Sequence, residues 1–427
     1  MSGKRQVVEA DLVWTGRGFE AGLRVAIGSD GRIEAVGSLG EEPTRRLGGR
    51  ALLPGFVNAH SHAFQRGLRG RGEVFPAGSG SFWTWREAMY GLVGSIDRRR
   101  LRELSLRAFF EMRDAGITAV GEFHYLHHDE GLDWAFDEVV LDAAAEAGLR
   151  IALLVSYYRT GGIGEPLDEA RRRFATPSPE EFWERIDALV ERIDPETRSI
   201  GIAPHSVRAA TPEEIAALHE EARRRGMVVH VHLEERREEV EACREAYGTT
   251  PSAALLDALG DDADGLVAVH CTHTRPADLK RLLAAGGRVC ACPLTEANLG
   301  DGIPDLGPAL EREGRLSLGT DSNARIALVE EMRWLEYGQR LRRERRGVLA
   351  DEGGDVARRL LSIATAGGAA ALGLEAGAIE PGRPADLVAL DLGHPSLAEA
   401  TPGTLLGAWV FGGGNDAVAE TCVGGRW

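Results

Sequence analysis

His60 and His62 close the apolar run Ala51 to Ala59 with one serine between them, a spacing that can do chemistry. In a strand, alternate residues share a face, so both imidazoles leave on one side and can grip a single metal ion. Farther along stand His232 with Glu235 three residues later, then His270, then Asp321 inside Gly319-Thr320-Asp321-Ser322. His60, His62, His232 and Asp321 suit one Zn2+, with Fe2+ an alternative that these ligand types do not separate, and they leave a position for water. A metal brings the pKa of such a water toward ~7. Glu235 is then the group to take its proton and hand it to a leaving nitrogen, with His270 polarising or orienting and Asp321 doubling as a proton acceptor. The expected catalytic set is therefore Glu235, His270 and Asp321. Any one of these residues taken singly reads as an ordinary hydrogen-bonding group, and the ordered set argues for a site. Glu234, Glu238 and Glu239 crowd Glu235, so that run also reads as the acidic start of a helix. His124, His127 and His128 read as polar contacts.

Composition restricts the alternatives. Lysine occurs only at Lys4 and Lys280, neither well placed for a Schiff base or for a carboxylated lysine bridging two metals. A chain of 427 residues, 43% hydrophobic and 27% charged, can bury a large core. The net charge of -16 repels nucleic acid and anionic membranes, so the expected partner is a small-molecule substrate. No apolar stretch is long enough to span a bilayer, and the first residues lack a signal-like apolar region. Five cysteines, an odd number without CxxC spacing, read as reduced core thiols and favour the cytoplasm. A homodimer is the expected assembly.

Eight strand-like segments must position these groups: 56–62, 118–123, 150–158, 199–206, 228–235, 266–273, 289–295 and 316–322. Helical periodicity between them, as in 212–225 and 276–285, gives the pattern of parallel strands with crossover helices. The fold class is thus α/β, a (β/α)8 TIM-like barrel over 53–376. The polar residues fall at the C-terminal strand ends, where barrel enzymes keep their active sites. Residues 1–52 and 377–427 read as short strands and turns that combine into a small β-sandwich domain. The segment from Ala63 to Ile96 is too long for an ordinary connection, and its aromatics suggest a cover over the rim.

Leu53-Pro54-Gly55-Phe56-Val57-Asn58-Ala59-His60-Ser61-His62, His232 to Glu235, His270, Gly319 to Ser322 and the closing Gly382 to Asp391 resemble the amidohydrolase superfamily, in its mononuclear deaminase branch. The likeness covers nearly the whole chain. Within that branch the segments His62 to Gly67, Phe82 to Arg86, Glu122 to His128 and His205 to Arg208 are similar to the formimidoylglutamate deiminases of histidine degradation. The resemblance implies hydrolysis of N-formimino-L-glutamate to N-formyl-L-glutamate and ammonia, and it implies Gln65, Tyr125 and His205 as substrate contacts. A substrate with two carboxylates also needs fixed cations, for which Arg86 and Arg208 are the candidates. Arg236 departs from the family, where glutamine is expected after the glutamate. Two other readings compete: a deaminase of an aminated heterocycle (guanine, cytosine or an adenosine derivative) using the same metal site, and a non-catalytic metal-binding barrel.

Overall fold

The computed structural model describes residues 4–73, 82–129, 131–312 and 314–427, without the side chains of 82–84 and 86. Its centre is an eight-stranded parallel sheet in sequential order. The strands are β1 (Phe56–Ser61), β2 (Ile117–His124), β3 (Arg150–Tyr157), β4 (Arg198–Pro204), β5 (Val229–Leu233), β6 (Leu266–His270), β7 (Arg288–Ala291) and β8 (Leu316–Leu318). Each coincides with one of the eight segments expected from the sequence. β1, β2 and β3 are buried at every position, as a sheet covered on both faces requires.

The barrel closes just beyond β8. Ser61 bridges Asp321 in parallel, the Asp321 N–H donates to the His60 carbonyl at 3.0 Å, and the His62 N–H donates to the Asp321 carbonyl at 2.9 Å. The seam of the barrel is thus sewn by residues of the candidate site.

Crossover helices begin where capping chemistry allows. Thr211 and Glu214 form a reciprocal capping box ahead of Pro212–Arg224, and Ser178 and Thr250 cap helices that open with Pro179 and Pro251.

The two chain ends meet, as expected, in one β unit. Its strands make a single seven-stranded mixed sheet in the order Val418–Cys422, Leu387–Asp391, Arg45–Pro54, Gln6–Trp14, Arg24–Ile27 and Ile33–Gly37, with Phe19–Glu20 paired to one side. Arg150 of β3 reaches Asp386 at 3.1 Å, a buried ion pair joining barrel to sheet. Phe56 stacks on Trp409, with ring centroids 5.4 Å apart.

The long 63–96 connection holds a 3-10 turn, Ala63–Leu68, and a helix, Phe82–Gly94. Trp85, Met89 and Val93 recur at i, i+4 and i+8, which puts them on one helical face. No helix among the described residues is long and apolar enough to cross a membrane.

Candidate active site

His60 and His62 leave the end of β1, His232 stands in β5, and Asp321 follows β8. The backbone of Asp321 is left-handed there (φ 46°). All four residues are buried. Nε2 of His60 lies 3.2 Å from Nε2 of His232 and 3.4 Å from Oδ1 of Asp321, and Nε2 of His62 lies 3.3 Å from the same oxygen. Two ligands of a tetrahedral ion with bonds near 2.05 Å stand about 3.3 Å apart. The four groups therefore fit a divalent metal ion.

Protonation favours the same conclusion. Nδ1 of His62 faces the Phe123 carbonyl at 2.7 Å and Nδ1 of His232 faces the His205 carbonyl at 3.1 Å. Each Nδ1–H donates outward, which leaves the Nε2 lone pair directed inward. Burial, reinforced by neighbouring imidazoles, holds His60 and His232 well below the usual range and His62 at about 3. The three rings are neutral at pH 7, the form a metal binds.

Gly319 explains part of the Gly-Thr-Asp-Ser motif, because a Cβ there would stand 2.6 Å from the Cβ of His60 and 2.8 Å from its carbonyl oxygen. Asn58 and Thr320 then bond across the seam, with Asn58 Nδ2 donating to Thr320 Oγ1 at 2.7 Å.

A cavity of about 90 Å3 opens beside the four ligands, lined in part by Gln65, Tyr125, His205, Arg208, Glu235 and His270. Glu234 takes a left-handed φ of 52° and turns its carboxylate away to accept the Ser252 N–H at 3.0 Å, while Glu235 faces the cavity. Oε1 of Glu235 lies 3.9 Å from Nε2 of His270, whose other close carboxylate on this side is Asp321 at 3.7 Å. Burial alone would lower His270, but Glu235, Glu296 and Asp321 outweigh it and raise the imidazole to about 10. A cation bound at Asp321 opposes that rise.

Among the expected substrate contacts, Gln65 donates to the Tyr125 hydroxyl at 2.6 Å, and the His205 ring packs against that of His232 with centroids 4.8 Å apart. Arg208 stands 3.8 Å from Glu235 and 3.5 Å from Glu239. Its Nε is buried with no hydrogen-bond partner among the described residues. The side chain of Arg86 lies outside the described residues.

Several further groups stand near the site. Trp85, Met89 and Tyr90 of the helix Phe82–Gly94 line the cavity beside Tyr158 and Phe174. Glu122 accepts the Ala63 N–H at 2.6 Å and is pushed by burial up to about 8. Arg236 donates to the buried Asp301 at 2.6 Å. His127 meets Asp137 at 2.8 Å, Arg185 donates to the other oxygen of Asp137 at 2.9 Å, and the second nitrogen of His127 faces the Ser156 carbonyl. That cluster ties β2, β3 and the helix Ala135–Ala147 together behind the rim.

A parallel barrel with such a rim defines a hydrolase that uses a metal ion. Residues 51–427 match the amidohydrolase family, and the chain belongs to it; its reaction is hydrolysis of a C–N bond. It is 40% identical to the formimidoylglutamate deiminase of Pseudomonas aeruginosa, over 96% of this chain and 91% of that protein. Among solved structures, an amidohydrolase from Brucella melitensis superposes with a TM-score of 0.89 at 33% identity, covering 99% of this chain and 94% of its own. An adenosine deaminase from Xanthomonas campestris with bound zinc superposes at 0.83 with 25% identity, covering 98% and 92%.

Proposed function

We propose that the chain is a deiminase of N-formimino-L-glutamate in histidine degradation, with one Zn2+ held by His60, His62, His232 and Asp321. The observation that carries the substrate assignment is Arg208, a guanidinium on the cavity wall whose Nε, 3.5 Å from Glu239, has no hydrogen-bond partner among the described residues. It stands in a chain whose relative in Pseudomonas aeruginosa is a formimidoylglutamate deiminase.

When held by these residues, the ion would supply Lewis-acid activation of water. Glu235 accepts one proton from that water as its oxygen bonds to the formimino carbon. The same carboxyl returns that proton to the terminal nitrogen; the water's second proton leaves the new hydroxyl for Asp321 and passes to the same nitrogen as the C–N bond breaks, so that NH3 departs and the N-formyl carbonyl remains. His270 steadies the attacking oxygen through Nε2. Arg208, with Arg86 as the second cation, holds the substrate carboxylates, and Gln65, Tyr125 and His205 complete the contacts. Trp85, Tyr90, Tyr158 and Phe174 limit the water that reaches the head group. A cytoplasmic homodimer completes this reading.

A second reading, deamination of an aminated heterocycle, is favoured by those aromatics, which suit the stacking of a flat ring. One experiment separates the two: ammonia release by the zinc-loaded protein from N-formimino-L-glutamate, guanine, cytosine and adenosine, each with a chelated control. Metal-dependent release from the formimino compound alone is expected. Release only from a heterocycle overturns the first reading, and metal-independent or absent turnover overturns both.

A further inference from the structure

Behind the cavity stands a carboxylate that this chemistry does not use. Glu296 lies in the first turn of the helix Pro293–Leu299, just after β7, and is 2% exposed. Its Oε1 accepts the Cys292 N–H at 3.0 Å and stands 3.4 Å from Nδ1 of His270. The opposite nitrogen of that ring, Nε2, faces Asp321 and Glu235. His270 therefore has one carboxylate within 3.4 Å of its back nitrogen, which has no hydrogen-bond partner among the described residues, and presents its front to the reacting groups.

A carboxylate facing one nitrogen of an imidazole fixes the plane of the ring and holds a proton on that nitrogen, so the opposite nitrogen is aimed at the reacting groups. His270 needs such a device. Its φ of 74° and that of Cys271, 54°, are left-handed, so regular strand geometry does not aim the side chain. The backbone around Glu296 is itself secured: its carbonyl accepts the Asp301 N–H at 2.9 Å, and Asp301 receives Arg236, the neighbour of Glu235.

We propose that Glu296 is a positioning residue, which acts through His270 by holding Nδ1 so that Nε2 is presented to the attacking oxygen. The role rests on His270 handling the reaction as described above. Glu296 itself lies off the cavity wall.

Glu296→Gln tests this with little disturbance, because its amide oxygen can still accept the Cys292 N–H while the charge facing Nδ1 is gone. In the zinc-loaded full chain, kcat for ammonia release should fall ~10–100-fold, with KM within about threefold and zinc content unchanged. Placed in a His270→Asn background, the same substitution should change kcat by less than about twofold, since the group it acts through is absent. Parental kcat in Glu296→Gln, or an equal loss in both backgrounds, overturns the proposal. If Glu296→Gln does not fold, Glu296→Asp, whose carboxylate withdraws by one methylene, takes its place in the same two backgrounds, where the same losses support the proposal and the same two results overturn it. The assay uses whichever candidate substrate the parent hydrolyses, so a wrong substrate shows in the parent and a wrong role for Glu296 shows in the ratio of variant to parent. A readout without turnover completes the test. The downfield imidazole N–H proton resonance assigned by its loss in His270→Asn should move upfield in Glu296→Gln, and an unmoved resonance overturns the proposal.

Discussion

Replacing Arg208 by methionine keeps an aliphatic stem and removes the guanidinium from the cavity wall. Nη2 stands 3.8 Å from Glu235 and Nε 3.5 Å from Glu239, both beyond a good hydrogen bond, so charge holds the group while its donors remain for a ligand. A charge-assisted hydrogen bond contributes about 1.5–3 kcal/mol, and a bidentate carboxylate pair that also keeps Glu235 and Glu239 apart comes to about 3–4 kcal/mol. At about 1.4 kcal/mol per factor of ten, kcat/KM for N-formimino-L-glutamate should drop on the order of 10^2–10^3-fold. The contact exists in ground and transition states alike, so most of the loss should appear in KM. Arg208→Lys should recover part of it, as a point charge without the fork. Initial rates of ammonia release over a wide substrate range, on protein with verified zinc content, give both constants. A methionine variant within threefold of the parent refutes the assignment of Arg208 to a substrate carboxylate.

Gly319→Ala should push His60 off its position, since the new Cβ would lie 2.6 Å from that of His60; bound zinc and activity should fall together, ~10–100-fold, in metal analysis and rate assays. Burial raises Glu239 from 4.5 to about 7, so between those values the folded chain binds the extra proton. Parental stability therefore declines as pH rises from about 4.5 to about 7, by up to about 3 kcal/mol, and Glu239→Gln should lack that decline in denaturant titrations at pH 5 and 8. Burial pushes the Asp301 carboxyl up to about 8, so Arg236→Gln removes a hydrogen-bond donor from a largely protonated group and should cost about 1–2 kcal/mol in the same titrations, most of it recovered on adding Asp301→Asn. Chelation should abolish ammonia release and lower the unfolding midpoint, with Zn2+ restoring both; at a thousandfold excess over Kd the ion contributes about 4 kcal/mol.

The barrel was legible because each strand is a short apolar run separated from the next by a helical segment, several of them capped, and because β1 ends in chemistry-bearing residues that strand alternation assigns to one side. Neighbouring glutamates blur the pattern at 234–239, and only the left-handed turn at Glu234 separates the one facing the cavity from the one facing Ser252. Glu296 was illegible for a different reason. In sequence it is an acid in the first turn of a helix, a place where acids are common anyway, and its partner His270 comes from another strand. Arg236 looked like a bare departure from its relatives, because Asp301 is distant along the chain and meets it only through the loops after β5 and β7. The helix Phe82–Gly94 carries its periodicity in aromatics and methionine, which read equally well as an irregular cover.

The bonds that join Asp321 to His60 and His62 are also the bonds that complete the cylinder. On the ribosome the first two histidines emerge early and their carboxylate partner only some 260 residues later. A nascent or truncated chain lacking Asp321 can neither shut its barrel nor assemble this metal cradle. In the folded chain, closing the barrel and bringing the proposed ligands together are therefore one and the same set of contacts.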